Sequence, residues 1–354
     1  MILESKNFIA TPPGETIKEQ LEDRGMTQKE FAARMGMSEK HISKLINGEV
    51  HLVPDVAEKL ELVLGVPARF WNKLEAIYQE KLVKVRNENE LEEEIKFARQ
   101  YPYKKIAEWG MVPRTNKWQE RVVYLCKFFE VSNLRILQDG ALMPVTCRKL
   151  SDTPKSTYIA YTLAQYAKIK AREVQTSPFC IDRLRGKLSD IRALTRRKNM
   201  DFDTQLADIL KFCGIALVYL PNISGSFLHG ITFYDNNTNK IVLGITMRGK
   251  YADRFWFSLF HEIAHILEGH IYQKTGTSES DEKNADKIAA EILIPTAKLK
   301  VFYQKSDCSV SAIERFADSI GIGVDIVIGR LQNDKRIGHN SMNQFKKKYE
   351  DIAS

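Results

Sequence analysis

Apolar positions between residues 14 and 85 recur at helical spacing in short runs, each cut by glycine or proline. Ile17 and Leu21 share a face that Gly25 ends. Gln28–Met35 places Phe31, Ala32 and Met35 on one side, and Thr27 with Glu30 three residues on reads as a capping box at its start. Gly36 breaks that run. Ser38 then caps Glu39–Ile46, whose Ile42, Leu45 and Ile46 face inward, and Asn47-Gly48 closes it with residues that tolerate a left-handed backbone. Pro54 and Pro67 each open a further helix, the second running through Trp71, Leu74, Ile77 and Tyr78. An acidic, strongly helical stretch over 86–100 reads as a linker helix, and helical patterns rich in Trp and Tyr follow. From Asp203 the period changes. Gly214–Leu220, His229–Tyr234 and Ile241–Thr246 read as strands, the last two as a hairpin around Asn236–Asn239. A helix over Ala252–Leu267 comes next. The expected fold is multidomain and mainly α: an all-α helix-turn-helix unit over 1–85, a helical basic connector over 86–200, and an α+β unit with a small sheet over 201–354.

Two helices of about eight residues joined by a glycine-containing turn form the helix-turn-helix pattern. In that geometry the second helix enters the major groove of duplex DNA with its polar face outward. Here that face carries Lys40, His41, Ser43, Lys44 and Asn47, with Ser38 at its cap and Gln28 at the start of the helix before it. A small helical bundle with a solvated polar face has the same pattern.

Charge relocates the question. The net charge is +8, yet residues 86–200 hold 23 Lys/Arg against 13 Asp/Glu while both flanking regions are close to neutral. The aromatics there (Trp109, Trp118, Phe128, Phe129, Tyr158, Tyr161, Tyr166) recur at helical spacing and read as core, with the basic run Arg183–Lys198 as a solvated face. Contact with nucleic acid is the competing reading. Five scattered cysteines (Cys126, Cys147, Cys180, Cys213, Cys308), without a CxxC pair, fit reduced thiols. No apolar run has the length of a membrane span and no secretory segment is evident, so the expected setting is cytoplasmic.

The chemistry lies in His261-Glu262-Ile263-Ala264-His265. Residues i and i+4 of a helix share a face, so two imidazoles can grip one Zn²⁺ with Glu262 beside the water it would activate. Two core histidines and a surface glutamate are the plainer alternative. The flanks Phe257, Leu259, Phe260, Ile263 and Ile266 are apolar, which makes a charged trio costly without a compensating cation. The longer HExxHxxGxxH pattern fails at Glu268 and Ile271, and the spacing of His270 makes it an improbable ligand. Downstream, Glu282 and Asp286 form an ExxxD pair of the kind gluzincin-like sites use, with Glu282 as third ligand and Asp286 holding the outer nitrogen of a ligating histidine. Asp281 and Glu279 are substitutes for the third ligand, and a solvated helix start is the plain reading of this acidic cluster. His229 or Tyr234 are weaker candidates for oxyanion stabilisation.

Two resemblances add to this reading. The segments "GMTQKEFA", "MSEKHISKLINGE" and "LGVPARFWNKLE" resemble the XRE-type helix-turn-helix domain of HigA-type antitoxins. That implies binding to a double-stranded DNA operator, usually as a homodimer on a palindrome. The segments "GITMRGKYADRFWFSLFHEIAHILEGH", "DEKNADKIAAEILIP" and "IERFADSIGIGVDIVIGRLQNDKRIGHN" resemble the ImmA/IrrE zinc metallopeptidases over about residues 201–340. That resemblance implies a zincin-like fold, His261 and His265 as zinc ligands, Glu262 as general base, and Glu282 at the family's acidic position. Asn284 and the Glu268-Gly269 stretch depart from its pattern. Together they imply a transcription regulator with a zinc-dependent endopeptidase that cleaves a repressor or antitoxin-type partner. The alternative is a non-catalytic HigA-type antitoxin that neutralises a toxin and represses its own operon.

Overall fold

The computed structural model describes residues 2–138, 154–197, 202–224, 226, 228–247, 251–273 and 277–349. Cys147 and Lys198 lie outside them. Fifteen helices and two small sheets make up the described residues, a mainly α chain as expected. No helix among them is long and apolar enough to cross a membrane. The chain divides into two compact units, Met1–Lys96 and Phe97–Ser354.

The first unit opens with a two-stranded antiparallel ribbon, β1 (Leu3–Glu4) and β2 (Ile9–Ala10). Helices α1 (Pro13–Asp23), α2 (Gln28–Met35), α3 (Glu39–Ile46), α4 (Pro54–Leu64) and α5 (Ala68–Ala98) follow. Their apolar stripes close one core around Ile17, Phe31, Ile42, Leu60 and Trp71. Gly14 is required where α1 crosses the end of α3, because a side chain there would collide with the Ile46 backbone. The capping box expected at α2 forms only by half. Thr27 Oγ1 accepts from Glu30 N at 3.2 Å, but the Glu30 carboxylate pairs with Arg34 one turn on instead of turning back.

The second unit contains α6 (Tyr103–Glu108), α7 (Trp118–Phe129), α8 (Pro154–Glu173), α9 (Ile181–Ala193) and α10 (Asp203–Cys213). Strands β3 (Ile215–Leu220), β4 (Gly230–Asp235) and β5 (Lys240–Thr246) come next, then α11 (Ala252–Leu267), α12 (Glu279–Leu293), α13 (Thr296–Gln304), α14 (Val310–Ile320) and α15 (Val324–Asn333). The sheet has the order β3-β5-β4. β3 runs parallel to β5 and β4 antiparallel to it, so the expected hairpin forms and β4 is left on an edge. Near-continuous burial along β3 and β5 fits their mean apolar character.

This division differs from the three stretches 1–85, 86–200 and 201–354. No glycine or proline interrupts residues 68–98, so α5 passes through 85/86 as one helix. Leu184, Ile191 and Leu194, from the basic stretch, share one core with the sheet and with α11 to α15. The basic run is part of that architecture. Arg192 donates to the carbonyls of Leu293 and Ile320 at 3.0 and 2.6 Å, closing the ends of α12 and α14, and Arg183 donates to Phe212 O at 2.7 Å. Arg196 pairs with Asp318 and Lys187 with Asp190. The aromatics likewise pack: Phe128, Phe129 and Tyr161 are buried, and Trp109 meets Tyr166 edge-on. Cys126, Cys180, Cys213 and Cys308 are free thiols.

Candidate functional site

Helices α2 and α3 are joined through Gly36, whose left-handed backbone (φ 63°) turns the chain sharply enough to bring them together. Ser38 Oγ accepts from His41 N at 3.2 Å and so starts α3. Ile42, Leu45 and Ile46 are buried, which rotates the opposite face outward. Gln28, Ser38, Lys40, Lys44 and Asn47 are exposed, while His41 and Ser43 are half-buried. Six of the seven residues expected to meet DNA thus lie on α3 or at its caps, and Gln28 opens α2. Lys40 and Lys44 make no ion pair among the described residues.

A second constellation is partly buried, Glu262 and His265 inside and Asp286 towards solvent. α11 places Trp256, Phe260, Ile263 and Ile266 in the core, and His261, Glu262 and His265 emerge from its turns towards α12 and β4. α12 starts with a complete capping box: Ser278 Oγ accepts from Asp281 N, and Asp281 Oδ2 accepts from Ser278 N at 2.7 Å. That start sets the phase of the helix, so Glu282 and Asp286 face α11. His261 Nε2 is 3.0 Å from His265 Nε2 and 3.2 Å from Glu282 Oε2, and His265 Nε2 is 3.5 Å from the same oxygen. These three side chains could hold one metal ion. Behind them, His261 Nδ1 lies 2.8 Å from Asp286 Oδ1.

The electrostatics follow from this crowding. Burial opposes charging of His261, but hydrogen bonds to Asp286 and Glu282 and the charge of Glu262 outweigh it and push the imidazole up to about 10. Burial raises the Glu282 carboxyl, yet hydrogen bonds from His261, His265 and Thr277 hold it well below the usual carboxylate range. Glu262 goes the other way: its burial dominates over His261, His265 and Thr232, so its carboxyl is raised. A cavity of ≈ 580 Å³ opens beside the cluster, lined among others by His229, Phe257, His261, Glu262, Asp286 and Lys346.

The chain matches the helix-turn-helix family over residues 17–71. It is also 33% identical over 63 residues to the "Uncharacterized HTH-type transcriptional regulator YddM" of Escherichia coli (strain K12), a stretch covering 18% of this chain and 67% of that protein. This chain belongs to the helix-turn-helix transcriptional regulators. The match covers α2 and α3 in full, and α3 turns an exposed polar face outward.

Elsewhere the regulator sorts its candidates clearly. Glu279 is almost fully exposed and pairs with Lys283, while Asp281 is engaged in the capping box; neither joins the Nε2/Oε2 cluster. Tyr234 has its hydroxyl 3.2 Å from Asn239 Oδ1 and its ring against Tyr272, whereas His229 lines the cavity. Asn284 donates to Glu268 Oε2. Two further residues of the site carry no signal in the sequence. Thr232 Oγ1, buried on β4, donates to Glu262 Oε2 at 2.6 Å. Gly230, two residues earlier on the same face, lies against that carboxyl, where a Cβ would sit 2.5 Å from Glu262 Cγ and 2.6 Å from Oε1. Alternation along a strand puts 230 and 232 on one face, but no spacing rule says which helix that face meets.

Proposed function

We propose that the regulator is a zinc-dependent endopeptidase as well as an operator-binding protein, with a zincin-like second unit that cleaves a repressor or antitoxin-type protein. The observation that supports this is the convergence of His261 Nε2, His265 Nε2 and Glu282 Oε2 on one point at the wall of a cavity, with the Glu262 carboxyl beside them. Nitrogen and oxygen donors at about 2.0–2.1 Å from a tetrahedral zinc stand about 3.3 Å apart. The three separations here, 3.0, 3.2 and 3.5 Å, match that edge, and the donor set is one zinc accepts. When bound there, zinc supplies a Lewis acid that polarises a peptide carbonyl and lowers the pKa of a water.

The chain's own residues do the rest. Thr232 holds one carboxyl oxygen of Glu262, and Gly230 lets the strand approach without displacing it. So placed, Glu262 takes a proton from the attacking water and returns it to the amine nitrogen that leaves. Its raised carboxyl pKa narrows the gap between the two proton affinities that this exchange must bridge. Asp286 keeps the proton of His261 on Nδ1 and its Nε2 free to ligate. β4 offers an edge on which an extended substrate segment can add as a further strand. The DNA-reading helix ties this activity to transcription, which makes another regulatory protein the fitting substrate.

The deciding experiment compares the wild type with Glu262→Gln for metal content and for new protein N-termini in cells that carry each. About one zinc per chain in both, with new termini only in the wild type, is expected. A wild type without zinc, or identical termini in both, rejects the peptidase and leaves a regulator whose second unit docks a partner without cutting it.

A further inference from the structure

A second imidazole–carboxylate arrangement stands behind His265, and the HExxH pattern does not ask for it. His270 follows the end of α11 at Gly269, whose left-handed backbone (φ 71°) folds the chain back over the helix terminus. The ring is buried, 6% exposed, and its Nδ1 lies 2.9 Å from His265 Nδ1. On its other side, His270 Nε2 is 3.5 Å from Asp281 Oδ1. The second oxygen of Asp281 accepts from Ser278 N and Oγ, both at 2.7 Å, so the first turn of α12 holds this carboxylate in place.

His270 cannot itself join the donor cluster. The two nitrogens of an imidazole face opposite edges of the ring. His265 turns Nε2 towards His261 and Glu282, so whatever touches its Nδ1 is on the far side. The proton inventory then has one solution. An imidazole that offers its Nε2 lone pair to a cation carries its proton on Nδ1. His265 Nδ1–H therefore donates to His270 Nδ1, which must be an unprotonated acceptor. That leaves the proton of a neutral His270 on Nε2, the nitrogen that faces Asp281. The same helix thus serves both ligating rings: Asp286 reaches His261 directly, and Asp281, in its first turn, stands beside His270, which reaches His265.

We propose that His270 and Asp281 form a positioning pair, which fixes the tautomer and ring orientation of His265 and so sets the zinc affinity of the centre. The inference rests on the metal-binding reading above. A core histidine that merely fills space would satisfy the burial, but it would not need a donor at one nitrogen and a carboxylate beside the other.

The test titrates chelator-stripped full-length protein with zinc against a chromogenic competitor, in the wild type and in Glu282→Gln, His270→Leu and His270→Asn. Losing an outer-shell partner of this kind weakens metal binding about 10- to 100-fold, which is the loss expected for His270→Leu. The Oδ1 of an asparagine can accept from His265 Nδ1, so His270→Asn should recover most of that affinity. Thermal unfolding of the metal-free variants shows whether the fold survives each change. Zinc bound by His270→Leu as tightly as by the wild type overturns the pair while leaving the metal centre standing. A wild type no better than Glu282→Gln overturns both. Should the leucine variant fail to fold, the ring-nitrogen resonances of the zinc-loaded wild type decide: a proton on His270 Nε2 is expected, and one on Nδ1 overturns the assignment.

Discussion

The two candidate functional regions of this regulator are built on contrasting physical principles. The candidate DNA-reading face is one side of an eight-residue helix, α3, with its lysines exposed and without an ion pair among the described residues. The candidate metal centre is drawn from β4, α11, the turn after it and α12, and most of its polar atoms are already engaged with one another. A surface that reads a polyanion profits from charges left free for phosphate and solvent, because counterion release supplies its affinity. Where such a centre is buried, as at Glu262 and His265, each charge must meet a partner or a cation, since an unpaired one costs several kcal/mol. Exposed helix faces therefore tolerate single changes gradually, whereas the buried network should fail abruptly.

That contrast can be broken by substitution. Glu262→Gln should give the largest effect, a loss of about 10²–10⁴-fold in proteolysis with zinc content and DNA footprint unchanged. A footprint that weakens in parallel would mean that the two regions are not separable. Gly230→Ala comes next. Its Cβ would land on the Glu262 carboxyl, so strand or glutamate must shift at a cost of about 1–3 kcal/mol, with proteolysis falling further than unfolding free energy accounts for. Denaturant unfolding beside a cleavage assay checks this, and an alanine variant with wild-type turnover would show that the carboxyl is not confined by β4.

A smaller effect concerns Asp325, fully buried in the second unit, with Lys347 Nζ 3.6 Å away. Burial, partly offset by Lys347, pushes this carboxyl up to about 6, against 3.8 as its ordinary value. The folded state therefore holds a proton that the unfolded chain has released. The stability this contributes is complete below about pH 3.8 and is lost as pH rises through about 6. From this group alone, stability should drop by roughly 1 kcal/mol between pH 5 and pH 8. Asp325→Asn should flatten the slope, and equal pH dependence in both proteins would dismiss it. The smallest effect is expected on the exposed side. Lys44→Ala should weaken binding about equally across DNA sequences and reduce the salt slope by about one. A footprint indifferent to this change would remove Lys44 from the interface.

Much of this was legible in the chain because it depends on near neighbours. Caps at Thr27 and Ser38, the turn at Gly36 and the apolar stripes of α2 and α3 all act within a few residues. The bounds of α11 and the facing of His261 and His265 are equally local, being one helical turn. Long-range partners were less legible. Motif spacing points to Glu282 and Asp286, but Thr232 is 30 residues from Glu262 with nothing in between to announce the contact. The basic stretch reads in sequence as a solvated face, but Arg183 and Arg192 donate to backbone carbonyls at the ends of helices far along the chain, pairings that no local pattern supplies.

By itself, then, the sequence determined the helix-turn-helix with its outward polar face, the helix that bears HExxH, and the mainly α class, all through short-range periodicity and capping. Tertiary structure decided which oxygen restrains Glu262, which pair stands behind His265, and where the chain divides into units. Those outcomes depend on how a strand face and a helix start are docked against α11. Docking is set by the packing of the whole core, which no local pattern encodes.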